Sequence, residues 1–153
     1  ALRQHRFTHG NYPSKFGSME DDLVQICHGA PGVLLLLARA MEMTEVDAGF
    51  QADVMSSAVA VWMRGLLTKG NSLCHGTAGN AYAFEALYRA TKLPAYQLAA
   101  EAFTREILDE SKRRQVHPSD RHLSLWEGKA GEAYFMLNAC GGDSYAGFPG
   151  LEV

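Results

Sequence analysis

From Pro31 onward the apolar residues fall at helical spacing, and the pattern recurs along the chain. Residues 33–41 are apolar almost throughout and predict a short interior helix. Pro31 suits its first turn, where a missing N–H costs nothing. A longer helix is predicted from about residue 45 to residue 67, with Val54, Ala58, Val61, Trp62 and Leu66 at helical spacing. The unit then repeats. Thr77 is placed to cap a helix running through Ala83, Leu87 and Tyr88. Pro94 opens a partner carrying Leu98, Ala102, Phe103 and Ile107. A polar stretch over residues 111–122 precedes a third apolar helix with Ala133, Tyr134 and Leu137, which Cys140 ends. The first 25 residues are polar, with a turn signal at Gly10-Asn11-Tyr12-Pro13, and read as a long loop. No period-two alternation is long enough to predict a sheet.

The expectation is an all-α chain of helical hairpins, forming a repeat array or part of an α/α toroid. Helices that are apolar nearly all round belong inside, covered on both sides, and their amphipathic partners belong outside. Repeats of this kind bury their surface mainly against neighbours. Two and a half hairpins therefore imply either a longer parent chain or an array that ends in exposed apolar surface.

Composition narrows the function. The chain has 153 residues, the size of one domain, with 47% apolar and 20% charged residues. A net charge of −3 and the lack of any long Lys/Arg run argue against nucleic acid or an anionic membrane as the main partner. The longest apolar run, residues 33–38, is too short to span a bilayer. No signal peptide opens the chain, so a cytoplasmic location is expected, with peripheral membrane association of a longer parent left open. Ala1 is not an initiator Met, which suggests a fragment or a processed form. Three cysteines, an odd number, argue against a disulfide framework. Cys140 reads as a buried free thiol.

The chemistry lies in two nearly identical turns, Cys27-His28-Gly29-Ala30-Pro31-Gly32 and Cys74-His75-Gly76-Thr77-Ala78-Gly79. A third, Trp126-Glu127-Gly128-Lys129-Ala130-Gly131, keeps the glycines but not the Cys-His pair. The spacings are 47 residues from Cys27 to Cys74 and 52 from Cys74 to Trp126. Cys and His are the side chains zinc prefers, at about 2.0–2.3 Å. Neighbouring residues diverge on a helix or a strand, so a Cys-His pair reaches one ion only where the backbone turns sharply. Gly76 permits that turn. All four residues would make a closed, structural zinc site, whereas three would leave an open position. Residue spacing leaves both readings standing. A cysteine nucleophile with a histidine base is a further reading, but it leaves the second cysteine unexplained.

The chain resembles the C-terminal part of a eukaryotic lanthionine synthetase C-like protein. The resemblance rests on both Cys-His-Gly turns, on Gly10-Asn11-Tyr12-Pro13, and on Gly65-Leu66-Leu67-Thr68-Lys69-Gly70. It extends through Leu73-Cys74-His75-Gly76-Thr77-Ala78-Gly79-Asn80, Ser124-Leu125-Trp126-Glu127-Gly128 and Phe148-Pro149-Gly150-Leu151-Glu152. It implies a toroid of seven inner and seven outer helices, with residues 1–153 as one partial, C-terminal domain holding about the last three inner ones. It also implies one zinc held by Cys27, Cys74 and His75, with the fourth position open and His28 not a ligand.

In bacterial relatives the zinc binds a peptide cysteine thiol that adds to dehydroalanine or dehydrobutyrine. The eukaryotic relatives use glutathione and add it to dehydroamino acids in proteins. The glutathione-contacting lysine falls on Lys69. A glutathione-holding arginine aligns nearest to His117, with Arg121 four residues on. Asn71-Ser72 departs from the aromatic-glycine pair expected before Leu73. The implied function is zinc-dependent addition of glutathione to a dehydroamino-acid peptide or protein. The rivals are a zinc-stabilised scaffold and an inactive fragment.

Overall fold

The computed structural model describes residues 2–109, 121–140 and 147–150. Five α-helices lie among them: α1 (Ala30–Met43), α2 (Ala48–Arg64), α3 (Thr77–Thr91), α4 (Pro94–Leu108) and α5 (Lys129–Cys140). A short 3-10 helix, Leu2–His5, precedes them. The described residues contain no strand, only an isolated bridge between Gln25 and His28. The fold is all-α, built of helical hairpins as part of an α/α toroid. None of the described helices is long and apolar enough to cross a membrane.

Local chemistry sets the helix ends. Pro31 and Pro94 lie in the first turns of α1 and α4, as their fixed backbone favours. The second helix begins three residues later than expected, because Asp47 caps it and accepts a hydrogen bond from the Phe50 N–H at 2.7 Å. It stops at Arg64 with Gly65 as its C-cap, which leaves Leu66 outside. Thr77 is the first residue of α3 rather than its cap. Its hydroxyl instead accepts a hydrogen bond from the Leu67 N–H at 3.1 Å, tying the preceding linker to the helix.

Helix α3 lies at the centre and packs against α1, α4 and α5. Every residue over 77–84 is buried, as is Leu87. Ala78, Gly79, Ala81 and Ala83 keep its girth small, so neighbouring helices can approach. Tyr82 meets Phe135 edge-on at 5.1 Å, and Phe84 meets Phe103 likewise at 5.2 Å. The expectation of an inner helix covered on both sides therefore holds for α3. At the two ends of the array it does not: Leu36 of α1 and Leu137 of α5 are 57% and 75% exposed.

Which apolar face is buried also differs from the sequence expectation. Val54, Ala58 and Val61 of α2 enter the core, while Trp62 and Leu66 remain half exposed. On α4, Phe103 and Ile107 are buried and Leu98 is exposed. On α5 the core residue is Phe135, with Ala133 and Leu137 outside. Cys140 is exposed, not buried, because it falls at the outer end of α5.

Residues 6–29 are a loop, but a fixed one. Arg6 bonds Asp53 at 2.9 Å and Ser56 at 2.8 Å, and Arg64 bonds Asp21 at 3.0 Å. The buried Asn11 accepts from the Ala30 N–H at 2.8 Å, satisfying an orphan donor at the start of α1, and donates to the Leu23 carbonyl at 2.9 Å. Asn80 makes the equivalent tie from α3. Its amide donates to the Val24 and Gly65 carbonyls, both at 2.8 Å.

Asn80→Ala strands both carbonyls in the interior, at a cost of about 1–3 kcal/mol. Urea unfolding should show a lower midpoint with an unchanged slope. Removing the exposed Arg39–Glu42 pair by Arg39→Ala should change stability by less than about 1 kcal/mol.

Candidate metal centre

The three glycine turns share one backbone construction. A Cβ placed on Gly32, Gly79 or Gly131 would lie far inside van der Waals contact with the carbonyl oxygen of Ile26, Leu73 or Leu125 respectively. Each of those carbonyls belongs to the residue just before Cys27, Cys74 or Trp126. The chain entering each turn is therefore folded back onto the first turn of the following helix. No side chain larger than hydrogen fits between.

The turns are also in register with one another. The Cys27 N–H donates to the Cys74 carbonyl at 3.3 Å, and the Cys74 N–H donates to the Trp126 carbonyl at 2.8 Å. Equivalent residues of successive repeats are thus joined head to tail. This alignment brings the Cys27 Sγ, the Cys74 Sγ and a ring nitrogen of His75 within 4.8 Å of one another. Tetrahedral ligands of zinc are separated by roughly 3.3–3.8 Å, so the group needs little movement to close on an ion. Cys27 is exposed, whereas Cys74 and His75 are half-buried. The cluster opens to solvent on the Cys27 side.

His28 stands outside this group. Its backbone exchanges hydrogen bonds with Gln25 in both directions, at 3.0 and 3.1 Å, and its Nδ1 faces the Ser14 carbonyl at 3.2 Å. Gln25 is a residue the sequence reading passed over. It is buried, and its amide donates to the Cys27 Sγ at 3.2 Å. The available signal was a glutamine flanked by Val24 and Ile26 just before the motif.

Lys69 lies exposed on the turn between α2 and Cys74. That turn is fastened to α3 by the Thr77 N–H donating to the Gly70 carbonyl at 2.9 Å. Arg121 is exposed at the start of the third turn, where its carbonyl accepts the Ser124 N–H at 2.8 Å. His117 lies outside the described residues.

A family model described as lanthionine synthetase C-like protein matches residues 1–153. The chain belongs to the lanthionine synthetase C-like family. It is 39% identical over 150 residues to the glutathione S-transferase LANCL1 of Danio rerio, covering 98% of this chain and 36% of that protein. It is 34% identical over 148 residues to the LanC-like protein GCL1 of Arabidopsis thaliana, covering 94% of this chain and 34% of that one. The chain thus spans about a third of the length of these curated relatives.

In this lanthionine synthetase C-like chain the donor set suits zinc: two thiols and one imidazole, a number that leaves a tetrahedral position free. The electrostatics point the same way. Burial, the adjoining Cys27 thiol and the charge of Glu127 together push the Cys74 thiol up to about 12. Crowded thiols beside a carboxylate resist deprotonation until a cation supplies the opposing charge.

A raised pKa means that the thiolate fraction at neutral pH is small. In protein stripped of metal by a chelator, iodoacetamide should therefore label exposed Cys140 well before Cys74 at pH 7. Labelling of Cys74 should keep climbing to strongly alkaline pH. Equal rates at the two sites, read by peptide mass spectrometry, would contradict this electrostatic picture.

Proposed function

We propose that this chain carries the zinc centre of a thiol-addition enzyme. Cys27, Cys74 and His75 hold one zinc ion, glutathione supplies the thiol, and the acceptor is dehydroalanine or dehydrobutyrine in a peptide or protein. The observation that carries the reading is the convergence of these three donors from two separate glycine turns. Membership of the lanthionine synthetase C-like family supports it. So does the name of the Danio rerio relative, a glutathione S-transferase.

Zinc, when bound, lowers the pKa of a thiol at its open position and so makes a thiolate available at neutral pH. The residues of this chain do the rest of the positioning. Two cysteine thiolates and a neutral histidine balance the charge of the ion, so an incoming thiolate keeps its negative charge and its nucleophilicity. The Gln25 amide steadies the Cys27 sulfur. Lys69 is the candidate partner for a glutathione carboxylate, acting as a point charge. His117 and Arg121 are weaker candidates for the same task. The proton for the product carbanion comes from outside these repeats. Residues 1–153 act as one partial domain of a larger toroid, in the cytoplasm.

The test is addition of glutathione to a dehydroalanine peptide by the full-length protein, followed by mass. Cys74→Ala and His75→Ala should abolish addition, with a loss of at least about a hundredfold, whereas His28→Ala should stay near wild type. Zinc bound without turnover would replace the enzyme by a zinc-stabilised scaffold. Activity undiminished in Cys74→Ala would refute the site.

Zinc binding must also depend on pH in a defined direction. Two thiols have to lose protons, so affinity falls as pH falls, by roughly tenfold per pH unit for each thiol displaced. Competition with a chelator between pH 6 and 8 measures the slope. A flat profile would exclude thiolate ligands.

A further inference from the structure

The third glycine turn has the fold of the other two and a different chemistry. Trp126 stands where they have cysteine, and Glu127 stands where they have histidine. The bond from the Cys74 N–H to the Trp126 carbonyl fixes that correspondence in space, and so does the shared approach of Gly131 to the Leu125 carbonyl. Glu127 therefore follows the residue bonded to Cys74, just as His75 follows the residue bonded to Cys27.

Three further observations make its carboxylate notable. It is half-buried, and it has no hydrogen-bond or ion-pair partner among the described residues. Only its backbone is held, through the Glu127 N–H and the Ser124 hydroxyl at 3.3 Å. The nearby cation, Lys129, is engaged elsewhere, with Glu132 at 2.9 Å. Glu127 also directly follows Trp126, whose carbonyl accepts the Cys74 N–H at 2.8 Å. A half-buried negative charge without a counter-charge is costly. Here it sits beside a cluster of metal-type donors that it does not join.

We propose that Glu127 is a positioning residue for the metal centre: without ligating the divalent cation, it supplies a fixed negative charge beside the three donors and strengthens their hold on it. This inference rests on the zinc reading above. Outer-shell groups hydrogen-bonded to metal ligands typically contribute about ten- to a hundredfold in metal affinity, and a charge acting through space without such a bond falls at the lower end of that range. It also suits a centre whose three donors only neutralise the ion. The competing role is that of an acid favoured by the helix dipole, since Glu127 lies two residues before Lys129, the first residue of α5.

The variants Glu127→Gln and Glu127→Asp separate the two, using cobalt(II) and zinc in the full-length protein. Chelator competition should show zinc affinity reduced about tenfold in Glu127→Gln and close to wild type in Glu127→Asp. The cobalt(II) thiolate spectrum should keep its shape in both, since the ligands are unchanged. Melting of the metal-free protein should be the same for Glu127→Gln as for wild type. Equal zinc affinity in wild type and Glu127→Gln, or a lower melting temperature of metal-free Glu127→Gln as the only change, would overturn the role. An altered cobalt(II) spectrum would make Glu127 a ligand instead, which also overturns it. Wild-type protein that binds neither metal would instead defeat the zinc reading itself.

Discussion

The structure depends on a close approach made three times: a helix glycine pressed against the carbonyl of the residue that precedes Cys27, Cys74 or Trp126. Each approach folds the incoming chain onto the start of a helix. Adjacent residues there no longer diverge as they would on a helix or a strand. The backbone bonds between successive turns follow from this shared shape. So does the small girth of α3, which must pass between its neighbours close to the turns. A methyl group at Gly79 would meet the Leu73 carbonyl and the Ile26 side chain at once. Packing and the convergence of Cys27, Cys74 and His75 therefore rest on one constraint.

That constraint makes the turns alike, and local bonds then make them unequal. The first turn holds His28 away through the paired bonds with Gln25, and the same glutamine directs its amide to the Cys27 sulfur. The second turn leaves His75 free to join the two thiols. The third turn substitutes an aromatic and an acid. One repeated frame thereby carries three turns with different chemistries. The charge balance is consistent with this division. Two thiols and an imidazole converge there, with the carboxylate-bearing third turn alongside.

Much of this was legible in the residues, where the deciding physics is local. The helical class, the proline-led starts of α1 and α4, and the matching of the two Cys-His-Gly turns follow from short segments read on their own or set side by side, whereas the choice of Cys27, Cys74 and His75 without His28 was implied by the family resemblance. What was misread depends on neighbours. Trp62, Leu66, Leu98 and Leu137 sit at helical spacing, yet periodicity cannot say which stripe of an apolar helix meets a partner. Val61 and Phe103, expected from the same patterns, do reach the core, and on α5 Phe135 takes the place of Leu137. Cys140 looked buried by residue type and lies exposed by position. Thr77 carried a capping signal, but the extended backbone of Gly76 took the cap position, and the hydroxyl turned to the linker. Glu127 had no signal in its own spacing, and Gln25 had only its place between Val24 and Ile26. Their roles come from the backbone bonds that set the turns side by side.

The central claim is that two turns, offering four candidate ligands, deliver three to one ion. X-ray absorption at the zinc edge of the purified full-length protein, with total metal measured alongside, tests it most directly. The expected result is one zinc per chain, with two sulfur neighbours, one imidazole, and a fourth light or thiol donor that changes when glutathione is added. A second imidazole from His28, a sphere unaltered by glutathione, or no zinc at neutral pH would contradict it.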